Sequence, residues 1–582
     1  MKNAELADMF SRMADLMEIL EQDHFRIVSY QKVSRVLSEL AEPIEDLAAA
    51  GKLQEIPGIG KSTAEKIEQY LKTGKIAKYE ELAAQVPAQA PEMLKLPGLG
   101  PKTVARLWKE LNITSLDALR ELLTKQPDKL IALKGMGEKK VEQLQQSLSF
   151  VESTGGRIRL GEADALAAAL AAAVRKSKGS ARVVPAGSLR RGRETIGDID
   201  LLCEATADQA VGIIEAFTSA REVKRVLAKG ETKGSVITGH DVQADLRVVP
   251  TESFGAALAY FTGSKAHNIG LRELAIKKGW KLNEYGLFSG DKSVAGATED
   301  EIYAKLGLPF IAPELREDRG EIEAALAGKL PEIVELADIQ GDFHMHTTAS
   351  DGMNSIDEMI DACRKRGYKY LCISDHSKGQ RQANGLDESR LADHIEAIRA
   401  AGKRHKDIYV LAGCEVDILK DGGLDFEADV LAELDFVTAS CHSYLKMERA
   451  EATARIIKAI ESPHVHCIGH PSGRLINERP GMEIDIEKIA RAAAANGVAL
   501  EINAHWMRLD LRDTHVRVAV DAGAKIAICS DAHTTAELDV MKYGVITARR
   551  GWATKAEILN TMSPAQLKKW LEKKGRLSHS GS

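Results

Sequence analysis

The stretch GDFHMHTTASDG (341–352) decides how the C-terminal half of this chain is read. It opens on a short apolar run, sets His344 and His346 two residues apart, and follows them with Asp351 beside a glycine. Side chains at i and i+2 of a strand share a face, so the two imidazoles point the same way. Related runs recur downstream: YLCISDH (370–376), VLAGCEVDI (410–418), VTASCHS (437–443), CIGHP (467–471) and IAICSDAH (526–533). Together they offer His344, His346, Asp351, His376, Glu415, His442, His470, Asp531 and His533. So many nitrogen and oxygen donors exceed what one cation takes, and a multinuclear site follows. Imidazole and carboxylate without thiolate suit Zn²⁺, Mn²⁺ or Fe²⁺ in hydrolysis rather than a structural zinc.

Apolar strands are expected near 339–346, 369–376, 408–416, 435–442, 465–470, 498–505 and 525–533, separated by helical segments such as SIDEMIDACRKRG. Seven βα repeats predict a parallel, closed sheet. Six of the expected strands end in a ligand, which matches the way βα-barrels gather functional groups at C-terminal strand ends. A solitary histidine is usually a packed core residue. His24, His240, His394, His405 and His515 have no companions and are given no role; His505 ends a strand outside the pattern. Arg474, in HPSGRLI, is expected to bind a substrate phosphate.

A second constellation lies upstream. In GSLRRGRETIGDIDLL (187–202), Asp198 and Asp200 share a strand face, and Asp245 of ADLRVVP (244–250) fits a neighbouring strand. Three convergent carboxylates repel one another unless divalent cations sit among them, and oxygen donors favour Mg²⁺. Gly187, Ser188 and Arg191 form a turn suited to a triphosphate tail.

Further upstream a unit repeats as IPGIGKSTAEKI (56–67), LPGLGPKTVARL (96–107) and LKGMGEKKVEQL (133–144). Each copy sets a Gly-x-Gly turn and a lysine at a helix start: Gly58, Gly60 and Lys61; Gly98, Gly100 and Lys102; Gly135, Gly137 and Lys139. Unpaired N–H groups and the positive end of a helix attract phosphate, and glycine lets it approach closely. Such hairpins hold a DNA backbone without reading its sequence.

With 582 residues the chain should hold three or four domains. No run of 18 apolar residues occurs, and the acidic amphipathic start is not expected to be a signal peptide. Seven scattered cysteines without a CxxC pair point to a reducing cytoplasm, with no membrane association. The net charge of −6 is uneven, +6 over residues 51–300 and −7 over 301–582. A basic DNA-gripping part beside an acidic catalytic part fits that split.

The run 187–202, then ADLRVVP, then AYFTGSKAHNIGLRELAIKKGWKLNEYGLF (259–288) resemble the palm and thumb of family X DNA polymerases, the polymerase beta group. The likeness covers about residues 1–315. It implies that Asp198, Asp200 and Asp245 hold two Mg²⁺ (or Mn²⁺) ions. Ser188, Arg191 and Gly197 would contact the phosphates of a deoxynucleoside triphosphate. Tyr260, Phe261 and Gly263 would sense its sugar, and Asn268 and Arg272 would face the nascent pair and template. Lys66, with Arg26 and Tyr30 nearby, matches the family's Schiff-base lysine for removing a 5′-deoxyribose phosphate. Lys265 and Ile269 depart from the vertebrate pattern.

The barrel motifs resemble the PHP (polymerase and histidinol phosphatase) family over about 339–560, which implies up to three metal ions, Mn²⁺ and/or Zn²⁺. The combined resemblance is to bacterial family X polymerases fused to this domain, in which it acts as a 3′→5′ exonuclease, with abasic-site cleavage as a further activity.

The expected fold is a multidomain α+β polymerase core followed by an α/β, distorted seven-stranded (β/α) barrel. Expected boundaries are 1–90 (helical, N-terminal), 91–150 (fingers), 151–250 (palm), 251–315 (thumb), 316–338 (linker) and 339–575 (barrel). The function expected is short-gap filling in DNA repair with 3′-end trimming, by a monomer acting on gapped or nicked duplex DNA and 3′ ends. The alternatives are a DNA-tethered phosphoesterase with a lapsed polymerase core, a barrel that is only a scaffold, or a barrel acting on small phosphomonoesters.

Overall fold

A computed structural model describes residues 2–573 except 40–43, 57, 96–98, 134–135, 139, 142–143, 146–147, 149–155 and 178–181. The chain divides into two compact units, one of residues 1–157, 169–187 and 197–310, the other of 158–168, 188–196 and 311–582.

The first unit begins with helices, including Lys2–Ile19, His24–Glu39, Lys61–Thr73, Pro101–Leu111 and Leu116–Lys125. Apolar residues three or four apart form their inner faces; on Lys2–Ile19 these are Leu6, Phe10, Met13 and Met17, all buried. A five-stranded mixed sheet follows, in the spatial order Arg182–Pro185, Asp198–Glu204, Gln243–Val249, Lys233–Thr238 and Val223–Lys229. Alternation along Gln243–Val249 buries Ala244, Leu246 and Val248 and turns Asp245 to the other face. The helix Thr251–Thr262 packs Phe254, Ala257 and Leu258 with Leu202 of the sheet. The unit ends in a small antiparallel sheet of Lys281–Asn283, Gly286–Ser289 and Lys292–Ala295, followed by the helix Glu299–Leu306.

The second unit is built on seven parallel strands in sequential order: Gly341–Asp342, Tyr370–Ile373, Tyr409–Asp417, Phe436–Ser440, Cys467–Gly469, Ala499–Asn503 and Lys525–Cys529. Tyr370–Ile373, Phe436–Ser440 and Ala499–Asn503 are buried throughout, as strands covered on both faces must be. The first strand is shorter than the expected 339–346. Past Asp342 its backbone turns to the last strand: Asp531 N donates to His344 O (2.9 Å) and His346 N to Ala532 O (2.9 Å). These bonds draw first and last strands together beside the ligands.

At the other end a buried side chain closes the seam. Asn560 Nδ2 donates to Gly341 O (2.8 Å) and Ile528 O (2.7 Å), and its Oδ1 accepts from Ile528 N (2.7 Å). Leu559, Leu567 and Leu571 fill the barrel below Phe343, whose ring stacks on Phe436 at 4.9 Å. The segment 316–338, expected as a linker, is part of this unit: Arg316 is fully buried, with Ile322, Ala325 and Val334 also inside. Among the described residues no helix is long and apolar enough to cross a membrane.

Asn560→Ala would strand several buried backbone groups at about 1–3 kcal/mol each. Unfolding in urea should show a loss of about 3 kcal/mol, and a change below 1 kcal/mol would mean that the seam closes without it.

Candidate metal centres

All nine expected donors of the barrel converge at the C-terminal ends of its strands. Three sets have ligand atoms within 4.8 Å of one another: His346, Asp351, His376 and His533; His344, His346 and Asp531; His376, Glu415 and His442. His470 joins through Nε2, 2.9 Å from Glu415 Oε1. The ring of His346 lies 4.2 Å from that of His533 and 4.4 Å from that of His376.

These groups fit cations better than they fit one another. His344 Nε2, His346 Nδ1, His376 Nδ1, His470 Nδ1 and Glu415 Oε2 are buried without a hydrogen-bond partner. His376 Nδ1 lies only 2.8 Å from Glu415 Oε2, close but without hydrogen-bond geometry, as two ligands of one ion would. Burial disfavours charge on His442, yet Glu415 and Asp417 raise it to about 10. Burial and the neighbouring His376 push His346 down to about 4. Glu415 and Asp531 stay well below the usual carboxylate range despite burial, because imidazoles surround them.

Sequence reasoning missed the carboxylates behind the ligands. Glu501, fully buried, sets Oε1 2.7 Å from His344 Nδ1, and its Oε2 accepts from His470 N. Asp417 Oδ1 lies 2.6 Å from His442 Nδ1. Asn503 Nδ2 donates to Asp531 Oδ2 at 2.8 Å. Asp375 accepts from Thr347 N, Thr347 Oγ1, Ser350 N and Ser350 Oγ and pairs with His394 Nε2 at 2.8 Å. It thereby fixes the loop that carries Asp351. Burial opposes its charge, but His394 and these bonds hold its carboxyl down at about 2. The signal was present: a carboxylate inside the apolar run VALEIN, and an aspartate two residues after Glu415. His394, given no role, is this partner. Arg474 is tied to Leu509 O and to Glu194 Oε2 (2.8 Å), so the expectation that it binds substrate phosphate is withdrawn.

In the first unit, Asp200 sits directly beside Asp245 in a parallel register, and Asp198 is two residues before Asp200 on the same strand. Burial, then Asp198 and Asp245, raise the Asp200 carboxyl to about 7. Lys233 Nζ is 3.5 Å from Asp245 Oδ2, a partner not expected from sequence. Gly187 has φ +60°, and a Cβ there would fall 2.4 Å from Asp200 Oδ2, so no other residue fits against the carboxylate. Gly197 abuts the Arg157 guanidinium.

The helix holding Tyr260 and Phe261 ends at Gly263, whose φ is +65°. Asn268 Nδ2 donates to Tyr260 O at 2.7 Å, and the Arg247 guanidinium lies over the Phe261 ring at 4.4 Å. Arg272 is half-buried on Lys265–Lys277. Ser188 and Arg191 belong to the second unit, where Arg191 Nε meets Glu317 Oε1 at 3.1 Å.

Gly60 and Gly100 are the N-caps of Lys61–Thr73 and Pro101–Leu111, and Lys61 and Lys102 are exposed. Gly58 has φ +99°, and Cβ atoms at Gly60, Gly100 or Gly137 would meet open space. Gly98, Gly135 and Lys139 lie outside the described residues. Lys66 Nζ donates to Ser62 O and Oγ and lies 5.9 Å from the Tyr30 ring centre. Partial burial, then Lys78 and Arg26, lower its pKa.

Comparison with known proteins finds relatives for both parts of the chain. Residues 1–76 match a helix-hairpin-helix domain, 90–149 a SAM-like helix-hairpin-helix tandem, 257–317 the DNA polymerase beta thumb and 342–505 the PHP domain. The DNA polymerase/3′-5′ exonuclease PolX of Bacillus subtilis is 36% identical over 98% of this chain and 100% of its own length. The chain belongs to the family X DNA polymerases that carry a PHP domain. A probable phosphatase of Caldicellulosiruptor bescii is 31% identical over 34% of the chain and 80% of its own length. DNA polymerase lambda of Arabidopsis thaliana is 24% identical over 54% of the chain and 62% of its own length. Membership implies DNA binding and dependence on divalent metal ions.

Removing the carboxylate behind a metal-bound imidazole weakens metal binding by about 10–100-fold. Glu501→Gln should show that loss in competition with a chelator; unchanged affinity would leave Glu501 a packing residue. A carboxyl raised from 3.8 to about 7 binds its proton more tightly folded than unfolded. Without metal, stability should therefore fall as pH rises from about 4 to 7, by up to about 4 kcal/mol. Mg²⁺ or Asp200→Asn should flatten that slope in thermal melts, and a slope retained in Asp200→Asn would assign it elsewhere.

Proposed function

We propose that this chain is a DNA repair polymerase that fills short gaps and trims 3′ ends, its two chemistries housed in the carboxylate and imidazole centres. The lateral pairing of Asp200 with Asp245 carries the polymerase reading. Asp198, Asp200 and Asp245 would hold two Mg²⁺ or Mn²⁺ ions. Such ions, when bound, favour loss of the primer hydroxyl proton and neutralise the phosphates. The 3′ oxygen forms its bond to the α-phosphorus of a deoxynucleoside triphosphate as the bond to pyrophosphate breaks. Ser188, Arg191 and Gly197 bind the triphosphate. Gly187 keeps Asp200 accessible, Tyr260, Phe261 and Gly263 line the sugar, and Asn268 and Arg272 face the pair and the template.

In the barrel, the nine donors would hold up to three ions, Mn²⁺ and/or Zn²⁺, which supply Lewis acidity toward a phosphodiester and an activated water. Glu501, Asp417 and Asp375 keep the ligands oriented. The hairpin glycines with Lys61 and Lys102 hold the duplex backbone, and Lys66, with its lowered pKa, serves as the amine for 5′-deoxyribose phosphate removal. The protein acts as a cytoplasmic monomer on gapped or nicked DNA.

Asp198→Ala should lose at least about 100-fold in extension across a one-nucleotide gap while 3′ shortening continues. His344→Ala should do the reverse, reading both reactions on one labelled duplex. A single variant abolishing both, while still folded, would refute two separate centres.

A further inference from the structure

Within the second unit, apart from the barrel ligands, is a cavity of about 200 Å³ lined by Arg193, Arg319, Arg512 and Arg550 together with Glu194 and Asp513, with Thr514 also in its wall. Its charge is out of balance. Asp513 Oδ2 accepts from Arg550 Nη2 (2.8 Å), Arg550 Nε (3.1 Å) and Arg319 Nη1 (3.1 Å). Glu317 Oε1 accepts from Arg191 Nε (3.1 Å) and Arg550 Nη1 (3.0 Å). Glu194 serves Arg512 Nη2 (2.9 Å) and Arg474 Nη1 (2.8 Å). Arg193 comes no nearer than 3.7 Å to Glu317.

Four guanidiniums and two carboxylates, Glu194 and Asp513, share the wall, and Glu317 also pairs with Arg550 and Arg193. Guanidinium does not lose its proton in proteins and carries five N–H donors in a fixed fork. The acids present therefore leave both charge and donors in excess. Arg550 is only 3% exposed, so bulk water does little to screen it. Partly enclosed charge of one sign concentrates potential, and the fork geometry matches phosphate. The volume is below the roughly 300 Å³ at which pockets begin to enclose drug-sized ligands. It has room for phosphoryl groups rather than for a whole nucleotide.

We propose that this arginine-walled cavity binds a phosphate oxyanion, supplied either as free pyrophosphate or as a phosphodiester of a DNA strand. Arg319 and Arg512 stand at the rim and contribute the donors that the three acids do not use. No residue that lines the cavity is among the expected metal ligands of either centre.

The test uses full-length protein freed of metal by a chelator, so that anions held on metal do not contribute. Pyrophosphate binding is read by calorimetry and a single-stranded oligothymidylate by fluorescence anisotropy, for wild type, Arg319→Ala, Arg512→Ala and Thr514→Glu. The last adds a carboxylate to the exposed rim and removes no arginine, which guards against loss by misfolding. Arg319→Ala and Arg512→Ala should each weaken binding by about tenfold, the worth of one charge-assisted hydrogen bond, and Thr514→Glu should weaken it by repelling the anion. Loss confined to pyrophosphate identifies a free anion, and loss of oligonucleotide binding identifies a strand phosphate. Wild-type protein that binds neither ligand, or three variants that bind both as wild type does, would overturn the proposal.

Discussion

A fully buried carboxylate, Glu415, is the group around which the second unit has to be arranged. Its oxygens face His376, His442, His470 and His344 within 2.8–3.5 Å, at the end of a strand with no exposed residue near it. Charge so far from water must be matched locally or it is not tolerated. Imidazoles match it only in part, because several of their nitrogens are left unsatisfied. The closed seam, the loop held by Asp375 and the acids behind the rings all bring positive charge, whether proton or cation, to one small volume.

The first unit meets the same constraint with oxygen donors alone. Asp200 beside Asp245 is a pair of like charges fixed by strand register, so neither can relax without moving a strand. That fixity separates a metal centre from an acidic patch on a mobile surface. It also explains why Gly187 is pressed against Asp200: the turn must pass where no side chain can. Carboxylate oxygens suit hard cations and imidazoles suit softer ones, so the two donor sets differ in the cations they would favour.

Much of this was legible in the sequence because both centres sit on strand ends, where spacing translates directly into direction. His344 and His346, or Asp198 and Asp200, can be placed on one face by counting. The number of barrel strands could be read for the same reason. Glu501 was not found because it lies mid-strand in the one repeat without an evident ligand, where its apolar neighbours suggested core. Asp375 was passed over beside His376, since nothing local tells a ligand from a residue that ties a loop. Arg474 shows the opposite error: an arginine next to a ligand strand looks functional until its partners, Leu509 and Glu194, are seen. Both partners are distant in sequence or on another segment, and single-chain spacing carries no record of them. The stretch 316–338 looked like a linker by composition, yet Arg316 is fully buried and donates through Nε to Ile311 O.

The seam closed by Asn560 also has a kinetic meaning. Strands one and seven are more than 180 residues apart, and the side chain that joins their lower ends comes later still. During synthesis, His344 emerges long before Asp531, and Leu559, Leu567 and Leu571, which pack into the core with Phe343, emerge later still. A nascent chain on the ribosome therefore cannot assemble the hydrolytic pocket early.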